Sequence, residues 1–247
     1  MRVAVEVCVT SMAEARAAER AGADGVELCA WLACGGVTPA PGLLSWLKEQ
    51  SPLRRRVLVR PTPGAFVYAP DERQVLLRDV LLCGVADAQA GVVTGALTAD
   101  GDVDEGLMRS VAPALAGREL TFHRAIDHAA DMPAALERCL ALGVHRVLTS
   151  GGETLAKDGA AMLKRLVERA GGRLLVCAAG GINPGNVVDL VQRTGVREVH
   201  FAAQRPAANV LKGAAMSSTN VGVNFLTESD EAKIEGVLNA LVKAGLR

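Results

Sequence analysis

The sequence predicts a closed (β/α)8 barrel, the TIM-barrel architecture, built by residues 1–247 as one domain. Eight apolar runs rich in Val and Leu recur along the chain, at 3–7, 25–28, 57–59, 92–94, 120–122, 146–148, 174–177 and 198–201. From Glu6 in the first run to His200 in the last is 194 residues over seven intervals, about 28 each, the length of one strand plus one crossover helix. The runs are near-continuous rather than alternating, as strands covered on both faces by helices are. An open doubly wound sheet is the competing architecture, but it rarely needs eight regular units, and no G-x-G-x-x-G follows the first run.

Helix signals fill the gaps in order. Ser11 and Glu14 have capping-box spacing before an Ala-rich run that Gly22 stops. Asp71 opens a helix carrying Val75, Leu76, Val80 and Leu81. Pro133 stands at the start of a helix that halts at Gly143, and Ser150 to Gly152 leads into one that ends at Gly171. Pro184 begins another, ending at Gly195. Residues 205–224 break the rhythm with Lys212, Ser217, Ser218, Thr219 and Asn220, and are expected to form an irregular loop after the eighth strand. Ser229 then caps a closing amphipathic helix with Val237, Leu238 and Leu241 inward.

Composition narrows the function classes. Lys plus Arg and Asp plus Glu are equal at 27 each, so no overall charge draws the chain to nucleic acid or an anionic membrane. No apolar stretch approaches the roughly 20 residues of a membrane helix, and no export signal opens the sequence. The six cysteines lack disulfide-like spacing and are expected to be reduced thiols, Cys83 and Cys139 as helix core, which places the protein in the cytoplasm. The expected partners are an ion, a small molecule or a second copy of the chain.

Barrel enzymes carry their chemistry at the C-terminal ends of the strands. The polar residues there are Glu6 with Cys8, Glu27 with Cys29, Arg60, Thr94, His123 with Arg124 and Asp127, Thr149 with Ser150, Cys177 and His200. Residues two apart on a strand share a face, so neighbouring strands would set the two Glu and Cys pairs side by side. Glu6 and Glu27 suit general acid or base work, and Arg60 and His123 suit an anion or a proton transfer. The plainer alternative is a buried ion network of the two Glu with Arg60 and Arg124 that merely sets register. Adjacent thiols at Cys8 and Cys29 suit Cu(I), or Zn2+ with an added imidazole or carboxylate; the alternative is two small buried hydrophobes. Gly151-Gly152 and Gly180-Gly181 lead toward helices, where glycine lets backbone N–H groups approach an oxyanion or simply turns the chain.

These residues, taken together, resemble the CutC family. The match runs through Glu6-Val7-Cys8, Glu27-Leu28-Cys29, Gly35-Gly36-Val37-Thr38-Pro39, Arg60-Pro61, Thr121-Phe122-His123-Arg124-Ala125, Leu148-Thr149-Ser150-Gly151-Gly152, Gly180-Gly181-Ile182 and His200. The resemblance implies a cytoplasmic barrel, a homodimer, with a role in copper homeostasis and Cu(I) linked to Cys8 and Cys29. It also implies an enzyme-like mouth built from Glu6, Glu27, Arg60, His123 and His200. The chain departs from the family's R-P-R-G-G-D-F with Arg60-Pro61-Thr62-Pro63-Gly64-Ala65-Phe66, so an arginine and an aspartate over the mouth are missing.

Overall fold

A computed structural model describes residues 2–207 and 227–247. Eight parallel strands close into a barrel in sequence order: β1 (Ala4–Val9), β2 (Gly25–Leu28), β3 (Arg54–Leu58), β4 (Gly91–Thr94), β5 (Leu120–Phe122), β6 (Arg146–Thr149), β7 (Leu175–Ala179) and β8 (Glu198–Ala202). Closure leaves the barrel no edge, with β8 pairing β1 from Ala4 opposite Glu198 to Cys8 opposite Ala202. The helices are α1 (Met12–Ala21), α2 (Pro41–Gln50), α3 (Pro70–Ala86), α4 (Glu105–Leu115), α5 (Met132–Ala141), α6 (Ala160–Ala170), α7 (Val187–Thr194) and α8 (Glu231–Lys243).

Outward strand residues such as Val5, Val7, Val26, Val57 and Val199 are fully or almost fully buried and join Leu44, Leu76, Leu136, Leu163 and Leu241 of the helices in one continuous core. The predicted stops hold at α1, where Ser11 Oγ accepts from the Glu14 N–H and Gly22 takes a left-handed conformation. Cys83 and Cys139 are buried in α3 and α5.

Four boundaries differ from expectation. β3 begins at Arg54, three residues before its apolar run, because Arg56 points into the barrel and is paired there. α6 begins only at Ala160, since Ser150 to Gly152 is tied down by side-chain hydrogen bonds described below. Pro184 precedes α7 by a turn in which the Asn183 N–H donates to Asn186 Oδ1. Asp230, not Ser229, caps α8, its carboxylate accepting from the Lys233 N–H, while Ser229 ends a short strand. That strand, β10 (Thr227–Ser229), pairs antiparallel with β9 (Gln204–Pro206). Of the expected irregular loop at 205–224, residues 205 and 206 therefore lie in β9, and 208–224 lie outside the described residues.

Candidate functional site

The barrel interior is ionic at its centre. Arg56 donates to Glu6 and, at 2.8 Å, to Glu198 Oε1, while its Nε and Nη2 reach Glu119 Oε1 at 3.1 and 3.0 Å. Arg146 donates to Glu6 Oε1 at 2.6 Å and lies 3.0 Å from both Glu198 Oε1 and Cys177 Sγ. On the β4 side the position beside Arg56 is Gly91, where a methyl group would stand 3.2 Å from Arg56 Cγ, so the missing side chain makes the room. Arg54 pairs with Glu119 at the bottom rim, so the guanidiniums of Arg54, Arg56 and Arg146 balance the carboxylates of Glu6, Glu119 and Glu198. The two buried guanidiniums hold the Glu6 carboxyl well below the usual range although burial alone would raise it.

Glu6 is consequently not at the mouth. The staggered register of the barrel places Cys8 opposite Glu27, and Glu6 opposite Gly25 and His200, so the two Glu–Cys pairs are offset by two residues instead of side by side. Glu6 sits one layer down, below the cavity, where its Oε1 also meets His200 Nδ1 at 2.9 Å. The plain alternative of a register-setting ion network is realised with different arginines: Glu6 uses Arg56 and Arg146, not Arg60 or Arg124.

Above that floor lies a cavity of about 920 Å³ at the C-terminal ends of the strands, lined among others by Cys8, Glu27, Cys29, Arg60, His123 and His200. The sulfurs of Cys8 and Cys29 are 3.3 Å apart, both buried, with one thiol donating to the other. That contact and burial raise the Cys8 thiol well above its ordinary value. Glu27 is 4 % exposed, and its Oε2 has no hydrogen-bond partner among the described residues. Burial raises its carboxyl, so Glu27 holds its proton more readily than a free glutamate.

Arg60 and His123 line the same cavity from the ends of β3 and β5. Arg60 donates to the carbonyls of Cys34 at 3.1 Å, Gly36 at 2.8 Å and Gly64 at 2.8 Å, tying the loops after β2 and β3 together. Its guanidinium lies 5.0 Å from the Phe66 ring centre, and Phe66 packs 4.9 Å from the His123 ring. His123 Nδ1 accepts the Ala125 N–H at 3.2 Å, which puts the proton of the neutral ring on Nε2. Burial, helped by the Arg60 charge, pushes the His123 pKa down to about 3, so the ring is neutral at ordinary pH. Its Nε2 and the Arg60 Nε are buried without partners among the described residues, two donors turned toward no protein acceptor.

The glycine pairs divide. The N–H groups of Ser150 and Gly152 already donate to Asp127, and that of Gly151 to Thr149 Oγ1, because the Asp127 carboxylate occupies the place an oxyanion would take. Arg124 is held by Asp127 and by Ser150 Oγ at 2.7 Å. Gly180 and Gly181 do line the cavity. Lys233 of α8 reaches the same cavity, donating to the Ala202 carbonyl at 2.7 Å. Sequence reasoning missed it because it comes from a helix start, and missed Arg56, Glu119, Arg146 and Glu198 because charged residues at strand beginnings look like flanks.

Residues 3–205 match the CutC family. A CutC family protein of Glaesserella parasuis is 37% identical over 238 residues, covering 95% of this chain and 97% of that one. A Homo sapiens protein named copper homeostasis protein cutC homolog is 38% identical over 247 residues, covering 97% and 89%. The crystal structure of CutC from Streptococcus agalactiae superposes with a TM-score of 0.76 at 29% identity, covering 81% of this chain and 98% of that one.

Proposed function

Because the chain belongs to the CutC family, we propose that it is a copper homeostasis protein of the cytoplasm that holds Cu(I) between Cys8 and Cys29. The observation that carries this reading is the 3.3 Å approach of the two sulfurs on the wall of the cavity. Paired thiolates are soft donors that suit Cu(I), and the buried site shields the ion from water. All six cysteines are free, as a reducing compartment requires. Among the described residues no helix is long and apolar enough to cross a membrane. Titration of Cu(I) against a competing chelator tests the site: one equivalent in the wild type, lost in a Cys8→Ser, Cys29→Ser double variant. Unchanged stoichiometry in that variant removes the site.

A second reading has its own support. A cavity of about 920 Å³ is far larger than an ion needs, and three buried polar atoms of residues that line it, Glu27 Oε2, Arg60 Nε and His123 Nε2, lack partners among the described residues. Two donors and a proton-holding carboxyl suit an enzyme acting on a small anionic or carbonyl metabolite. A thermal-shift screen of such metabolites discriminates, since a ligand of the folded state raises the melting temperature. The homodimer implied by the family resemblance finds a candidate face on α3, where Val75, Leu81, Leu82 and Val85 are exposed, Val85 at 83 %.

A further inference from the structure

Cys8, Glu27 and His200 bring one sulfur, one carboxylate oxygen and one imidazole nitrogen within 4.8 Å of one another, and all three residues are buried. Cys29 is not part of that cluster although it touches Cys8. The three come from consecutive staves of the closed barrel: β8, β1 and β2.

Two further features point to an ion. The first is His200. Glu6, clamped by Arg56 and Arg146, is an ionised carboxylate and can only accept, so His200 Nδ1 carries a proton and the neutral ring has its lone pair on Nε2. A carboxylate holding one imidazole nitrogen so that the other can coordinate is the support that metal-ligating histidines receive. The second is charge. The three guanidiniums of the floor are matched by three carboxylates, and Glu27 is a buried acid whose Oε2 has no hydrogen-bond partner and which makes no ion pair among the described residues. A divalent ion bound by a Cys8 thiolate, the Glu27 carboxylate and a neutral His200 makes an electroneutral set. Cu(I) between two thiolates instead adds a negative charge beside Glu27.

We propose that Cys8, Glu27 and His200 form a site for a divalent cation of the Zn2+ class, distinct in ligands and in charge from a two-sulfur Cu(I) site. Sulfur, nitrogen and oxygen donors in one set suit a borderline ion. Three protein ligands leave a fourth position for water or a ligand, and here it opens on the cavity that Arg60 and His123 also line. Cys29 then serves as a hydrogen-bond neighbour of Cys8, not as a ligand.

The test uses the full-length, metal-free chain with Co2+ as the reporter and Zn2+ as the competitor. One equivalent of Co2+ is expected to give the visible bands of a four-coordinate ion with a thiolate-to-metal charge-transfer band, and Zn2+ to displace it. Glu27→Gln and Cys8→Ser are each expected to weaken Zn2+ at least tenfold, while Cys29→Ser stays within threefold of wild type. Under the same chelator competition Cu(I) is expected to do the reverse, lost in Cys29→Ser and kept in Glu27→Gln, so the two sites fail separately. The proposal is overturned if wild type shows no thiolate–cobalt band, if folded Glu27→Gln binds Zn2+ as wild type does, or if Cys29→Ser loses Co2+ as fully as Cys8→Ser. Should Glu27→Gln fail to fold, the wild-type spectrum and Cys8→Ser decide.

Discussion

Arg146 is fully buried and touches Glu6, Glu198 and Cys177, so its charge is held only by its neighbours. Removing it leaves Glu6 and Glu198 with one guanidinium between them in a medium that solvates charge poorly. Arg146→Met is therefore expected to cost about 3–5 kcal/mol, the usual consequence of breaking a buried pair. Urea unfolding checks this: the midpoint falls while the slope stays the same, and an unchanged midpoint would mean the lattice carries no stability. Which charged residues occupy the barrel centre was hard to see in the sequence. Arg56 and Arg146 stand at the first or third position of a strand, where a charge reads as the solvated end of an apolar run. Glu27, by contrast, was legible, being a carboxylate inside such a run with a thiol two residues on.

At the scale of elements, the loops after β2 and β3 are locked by one side chain. Arg60 spans three carbonyls, from Cys34, Gly36 and Gly64, and only a planar fork with several N–H groups can do so. Arg60→Lys is expected to free the 61–66 segment, seen as faster limited proteolysis there with little change in melting temperature. Equal proteolysis rates would show that the segment is held by other contacts. The segment's departure from the family pattern bears on this, since Thr62 Oγ1 is turned to Glu72 and Ala65 merely lines the cavity. A close approach also orders His123: a methyl group on Gly95 would lie 2.7 Å from His123 Nδ1. Gly95→Ala is expected to displace the ring and cost about 1–3 kcal/mol by overpacking, measured by thermal unfolding. The sequence announced the strands here, and the glycine beside His123, but not that the two would meet.

For the whole molecule, stability should depend on pH in a definite direction. The folded His123 titrates at about 3 against an ordinary 6.5, so between those values the unfolded chain binds a proton that the folded chain refuses. Its contribution is fully present above pH 6.5 and is lost as pH falls toward 3, by about 5 kcal/mol at roughly 1.4 kcal/mol per unit. Glu6 adds to the same slope at lower pH, its depressed carboxyl favouring the fold above about 4.5 and ceasing to do so as pH falls through its folded value. Glu27 works the other way, its raised carboxyl favouring the fold at low pH and losing that as pH rises. Melting temperatures from pH 4 to 8 are expected to rise, and His123→Asn, which keeps an acceptor for the Ala125 N–H, to flatten the rise.

Strand period, helix stops and the regular interval of about 28 residues determined the barrel and which residues stand at its strand ends, because these are local properties of the chain. Register is not local. It is set when the eighth strand closes on the first, and the stagger that closure demands moved Glu6 down into the arginine lattice and brought Glu27 level with Cys8. Only the tertiary structure could decide that the two similar motifs, Glu6-Val7-Cys8 and Glu27-Leu28-Cys29, have unlike tasks, one acid holding His200 from below and the other left without a partner at the cavity wall.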